Sequence, residues 1–172
     1  MEPVSWNAST AECLVFTFKA GLLAGVAHDL KLRVERFEIV LDDQGIRARF
    51  DAGSLRVVCA RAGGKDDPGA LSDRDRREIE GNIVRDVLDA RRHPAIEFRS
   101  PLPKGEGRFE GTLSIRGRER PIALALHREA DRGVVDSVIH QPEFGIRPYT
   151  AMLGALRIQP DVRVRITVPW PQ

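Results

Sequence analysis

The 172-residue chain carries 42 % hydrophobic and 30 % charged side chains, the balance of a folded globular protein and not of a disordered one. Its 27 basic and 25 acidic residues nearly cancel to +2 and interleave in sign, so nucleic acid is not expected as a partner. No apolar run approaches the roughly 20 residues that span a bilayer, so no stable membrane insertion is expected. The opening MEPVSWNAST lacks the basic and apolar regions of a signal peptide, which predicts a cytoplasmic protein. The length predicts one domain over residues 1–172 around a single core.

Period-2 alternation recurs from the N-terminus onward. CLVFTFK sets Leu14, Phe16 and Phe18 on one face, predicted to point inward, and LKLRVE does the same with Leu30, Leu32 and Val34. After Val34 the apolar phase slips by one residue to Phe37, Ile39 and Leu41, which predicts a β-bulge near Glu35–Arg36. GIRARFDA (Ile46, Ala48, Phe50) and SLRVVCA (Leu55, Val57, Cys59) continue the pattern, and RAGGKDDPG reads as a long surface loop.

Helical spacing replaces alternation in SDRDRREIEGNIVRDVLDARRH, where Ile79, Ile83, Val84, Val87 and Leu88 share a stripe. Ser72 with Asp75 has the form of a capping box, and Pro94 ends the segment. Gly81 costs about 1 kcal/mol relative to alanine inside a helix, so it marks close packing or a local break. The helix is expected to lie across one end of the sheet. Strands then resume in AIEFRS, RFEGTLSIRG, RPIALALHRE, VVDSVIH and DVRVRITV. Gly111 interrupts an inward set, as at a sharp bend in a barrel wall. The predicted fold is all-β with one main helix: an antiparallel barrel of about eight strands with the helix packed against it.

Chemistry-bearing motifs are sparse. The four histidines show no HxH or HExxH spacing, and Asp136, Ser137 and His140 lack a nucleophile elbow. Cys13 and Cys59 read as buried reduced thiols. No cofactor and no metal are expected. Two stretches break the alternation with small and apolar residues, AGLLAGVAHDL and FGIRPYTAMLGALRI. Placed beside a barrel mouth, they make an apolar cleft with a few polar groups, the usual make-up of a small-molecule site.

Taken in order, GVAHDLKLRVERFEIVLD, DVLDARRHPAIEFRS, FEGTLSIRGRERPIALAL and HQPEFGIRPYTAMLGALRIQPDVRVRITV resemble the YceI-like domain family over nearly all of the chain from about Leu14. The resemblance implies an extended, lipocalin-like antiparallel barrel with a packed helix. It also implies a long apolar ligand of the polyisoprenoid or fatty-acid-derived kind; members are often dimers, so a homodimer is an open expectation. No catalytic residue carries over from the family. The expected lining is Phe16, Phe18, Leu32, Val34, Phe50, Phe98, Leu113 and Leu124, closed by Met152 and Leu153. His28, Arg147 and Tyr149 are expected at the mouth, with Arg147 suited to a phosphate or carboxylate head. Two alternatives stand beside this binding protein. One is an enzyme using His140, Glu143 and His28 as acid–base groups or in a metal site; the other is a solid barrel acting through its surface.

Overall fold

Alternation becomes antiparallel pairing throughout the computed structural model, which describes residues 1–21 and 27–170. The strands are β1 (Val4–Asn7), β2 (Glu12–Thr17), β3 (Lys19–Ala20), β4 (Asp29–Val34), β5 (Phe37–Asp42), β6 (Gly45–Asp51), β7 (Leu55–Ala62) and β8 (Lys65–Asp67). After helix α1 (Asp73–Asn82) follow β9 (Ala95–Ser100), β10 (Gly107–Ile115), β11 (Arg118–Glu129), β12 (Arg132–His140), β13 (Thr150–Ala151), β14 (Leu156–Ile158) and β15 (Asp161–Pro169). Twelve strands form one sheet in the order β1-β5-β6-β9-β10-β11-β12-β15-β2-β4-β7-β8, and β13, β14 and β3 form a second, small one.

The large sheet curls into a lipocalin-like half-barrel. Its strand count exceeds the expected eight, and its end strands β1 and β8 are not bonded to each other, so the ladder does not close. Part of the excess comes from RAGGKDDPG, which is no loop: a tight turn at Gly63–Gly64 sends β8 back along β7, with Arg61 paired against Asp66.

The phase slip after Val34 has a different cause from a bulge. There the chain leaves one part of the sheet for another, since β4 pairs with β2 and β7 whereas β5 pairs with β1 and β6. Fully buried Ser54 holds this corner: its backbone carbonyl accepts from Glu35 N, its Oγ accepts from Arg36 N at 3.1 Å and donates to the Asp51 carbonyl at 2.8 Å. The real register shift lies elsewhere, where Lys31 faces Cys59 but Leu32 faces Val57. Val58 is the extra residue, so Cys59 shares its cross-strand position with Lys31 and not the inward face with Val57.

Helix α1 begins as its sequence dictates. Ser72 Oγ accepts from Asp75 N, and the Asp75 carboxylate accepts from Ser72 N at 2.9 Å, which satisfies two otherwise orphaned donors. After Gly81 the α-helix gives way to a π turn over Ile83–Val87, with Leu88 N donating to Ile83 O at 2.8 Å. A Cβ on Gly81 would meet nothing within 4 Å, so the glycine accompanies a break and not a close approach. Two bonds fix the helix in place: Val57 N donates to Glu80 Oε1 at 2.9 Å, and Arg116 donates to the Val87 carbonyl at 3.2 Å. Its apolar stripe of Ile79, Ile83, Val87 and Leu88 thus faces the interior of the curled sheet.

Candidate functional site

The interior is hollow. A cavity of about 660 Å³ runs through it, walled by inward side chains from most strands of the large sheet and by α1. On β15 alone, Val162, Val164, Ile166 and Val168 face it; six residues at about 3.3 Å each give a wall roughly 20 Å long. At about 24 cal/mol per Å³, a void of 660 Å³ would cost about 16 kcal/mol if left empty. That is on the scale of the whole stability of an ordinary domain, about 5–15 kcal/mol, so the hollow is a costly feature of the fold.

Polarity along the hollow is one-sided. Near the start of β15 and the end of α1 stand Thr17, His28, Asn82, Gln141, Tyr149 and Arg157. Near the end of β15 the wall is Leu102, Pro103, Phe109, Leu126, Val168 and Trp170, without a charged group. No aspartate or glutamate lines the cavity among the described residues. Cys13 does line it, and burial, helped by the neighbouring Glu12 carboxylate, pushes its thiol up to about 12. It stands in the wall as a buried, protonated thiol.

The polar end is assembled by the small sheet. Arg157 on β14 lies between Thr150 of β13 and Ala20 of β3, and Ile158 pairs with Lys19. Gly21, with φ +92°, makes this possible: a Cβ there would sit 2.6 Å from the Ala155 carbonyl oxygen, against backbone that cannot yield. Tyr149 OH accepts from Asn82 Nδ2 at 3.4 Å, tying the hairpin to α1. Buried Gln141 donates its side-chain amide to the Gln159 carbonyl at 3.1 Å. Thr17 Oγ1 is buried without a hydrogen-bond partner among the described residues.

Of the residues expected around the ligand, Leu32, Val34, Phe50, Phe98, Leu113 and Leu124 line the hollow, with His28 and Tyr149 at its polar end. Phe16 and Phe18 do not. The inward set of β2 is Cys13, Val15 and Thr17, and the two phenylalanines lie outside beneath guanidinium groups, Arg61 at 5.0 Å and Arg163 at 5.4 Å from the ring centroids. Arg147 is exposed and outside the lining, and Leu153 is fully exposed at the hairpin tip. The side chain of Met152, and residues 22–26 of the AGLLAGVAHDL stretch, lie outside the described residues. Arg157, unnoticed in the sequence, is an exposed side chain of the lining at the mouth, the place expected of Arg147; strand parity sets it opposite Leu156 and Ile158, so alternation does not signal it.

The acid–base trio does not assemble in the cavity. His28 lines it, whereas His140 and Glu143 are exposed outside it. His140 Nδ1 lies 2.6 Å from Asp161 Oδ1 across the β12–β15 ladder. Among the described residues no cluster of three or more histidine, cysteine or acidic side chains is placed to hold a metal.

A curled antiparallel sheet around a long apolar chamber, with one helix as part of its wall, defines a lipocalin-like half-barrel protein. The chain belongs to the YceI-like domain family, which it matches over residues 7–169. Among solved structures it is similar to a polyisoprenoid binding domain from Saccharophagus degradans implicated in plant cell wall breakdown, at 12 % identity, TM-score 0.61 and 98 % coverage of both chains. It is also similar to BcnA of Burkholderia cenocepacia, at 14 % identity and TM-score 0.58, covering 94 % of this chain and 96 % of that one. A mutant CJ YceI protein with a monobromobimane guest matches at 13 % identity and TM-score 0.53, over 81 % of this chain and 82 % of that one. Among curated proteins none matches the sequence.

Proposed function

We propose that this protein is a non-catalytic carrier, one domain over residues 1–172, that holds a long-chain lipid or isoprenoid inside its half-barrel. The observation that carries the reading is the chamber: about 660 Å³, long in one direction and walled almost wholly by aliphatic and aromatic side chains. Its volume falls within the roughly 300–1,000 Å³ of small-molecule sites. Each methylene transferred from water contributes about 0.8 kcal/mol, so a long tail is retained without any reaction. The similarity to a polyisoprenoid binding domain supports the same reading. A homodimer belongs to the proposal, and the unpaired outer edges of β1 and β8 are surfaces suited to it.

Organic extraction of the purified protein followed by mass spectrometry tests the proposal. A long apolar molecule in near-stoichiometric amount is expected, or tight uptake of one when it is added to protein stripped by extraction. Val164→Trp places an indole in mid-chamber and should abolish that uptake while the protein stays folded. Retention of full uptake by the Trp variant, or no uptake by the parent protein, would remove the carrier reading.

A further inference from the structure

We infer that the ligand is an amphiphile with an acidic head, a carboxylate or a phosphate monoester, held at the Arg157 end with its tail running toward Trp170. This rests on the carrier reading and adds an orientation and a charge to it. Three observations carry it. First, six hydrogen-bonding side chains gather at one end of the hollow, and the opposite end offers hydrocarbon and the Trp170 ring. An amphiphile lying the other way would set its head among hydrocarbon walls, where the Trp170 indole, under the Arg128 guanidinium, is the one lining donor among the residues named at that end.

Second, the fixed charge within the lining at that end has one sign. Arg157 is in the lining, no carboxylate is, and among the described residues Arg157 has no carboxylate ion-pair partner. Asp86 pairs with Arg85 and Asp161 is bonded to His140, while Asp29 accepts from Lys19 N at 2.8 Å. Arg157 is the one arginine or lysine among the described lining residues. Third, a hydroxyl is left over. Thr17 Oγ1 is buried in the wall at this end with no partner among the described residues, a group that elsewhere in a protein interior is nearly always bonded. A head oxygen seated by Arg157 would give it an acceptor. A guanidinium with two parallel N–H groups suits a carboxylate or phosphate, and would repel an ammonium head.

Equilibrium binding of four probes with one alkyl chain and different heads tests this on the full protein: palmitate, hexadecyl phosphate, hexadecanol and hexadecylamine. At least one acid should bind roughly tenfold or more tighter than the alcohol, the return on one charge-assisted hydrogen bond, with the amine weakest. The tighter of the two acids names the head. Arg157→Gln should bring the acid-to-alcohol ratio near one. Arg157→Lys should keep part of the preference, and Arg147→Gln, outside the lining, all of it. Equal binding of alcohol, amine and acids by the parent protein overturns the head assignment and leaves the carrier reading intact. Failure of all four probes to bind removes the carrier reading itself.

Discussion

Along β15, Val162, Val164, Ile166 and Val168 point inward yet each keeps part of its surface open, because what they face is the hollow. A short way off, Phe144 also points inward and is 1 % exposed; together with Phe37 and Val57 it belongs to the core but touches no part of the hollow. The side chains are of the same kind. What differs is whether atoms lie on the far side. One part of the interior is solid and carries the stability of the fold, and the other is kept unfilled by a wall that curves faster than its side chains can meet.

That difference has a direct consequence for truncation. Phe144→Ala removes a ring that is packed on every side and should cost about 3–5 kcal/mol. Ile166→Ala removes contacts on one side only, since a side chain bordering a void has already forfeited the rest, and should cost roughly 2 kcal/mol or less. Urea unfolding of the two variants measures both. Equal penalties would mean that the interior near β15 is as densely packed as the region of Phe144.

Gly111 sharpens the contrast from the wall itself. A Cβ at this position would lie 2.3 Å from the Phe98 ring, which leans over the glycine where β9 and β10 run side by side. Gly111→Ala should therefore cost about 1–3 kcal/mol through overpacking. Adding Phe98→Leu, which withdraws the ring, should recover most of that loss although Phe98→Leu alone would itself be destabilising. Thermal unfolding of the single and double variants gives the coupling; simple additivity would break the assignment of this glycine to the ring.

Most of the fold can be read from the chain by parity, and the exceptions have identifiable causes. The strand segments, the helix with its Ser72–Asp75 cap and the special status of Gly111 follow from period and from residue chemistry. β2 misleads because Phe16, which it turns outward, and Phe18 just beyond its end are greasier than the inward Cys13 and Thr17. Hydrophobicity alone then picks the wrong face, and only the arginines of neighbouring strands, Arg61 and Arg163, reveal what covers the rings. Cys59 is misassigned for another reason: Val58 is an extra residue whose presence no composition signals. At the polar end of the hollow, FGIRPYTAMLGALRI offers two arginines. The choice between them depends on the pairing of β13, β14 and β3, three strands too short to announce themselves by alternation.

The smallest effect concerns the helix that walls the hollow. Its N-terminus is secured by Ser72 and Asp75, and Ser72→Ala should cost about 1 kcal/mol near neutral pH. The Asp75 carboxyl is held below its ordinary 3.8 chiefly by the bond from the Ser72 hydroxyl, then by the bond from the Ser72 backbone. A carboxyl whose folded-state pKa is depressed adds stability that is fully present above its unfolded value and disappears as the pH falls through the folded one. The stability gap between parent and Ser72→Ala should accordingly be widest at neutral pH and narrow once the pH drops below 3.8. Asp75→Asn should lower stability at neutral pH and flatten the same window. Thermal unfolding at neutral and strongly acidic pH reads the gap directly. A gap that stays constant across that range would show that the hydroxyl acts only as an acceptor for Asp75 N, and that its bond to the carboxylate contributes nothing to holding the helix over the hollow.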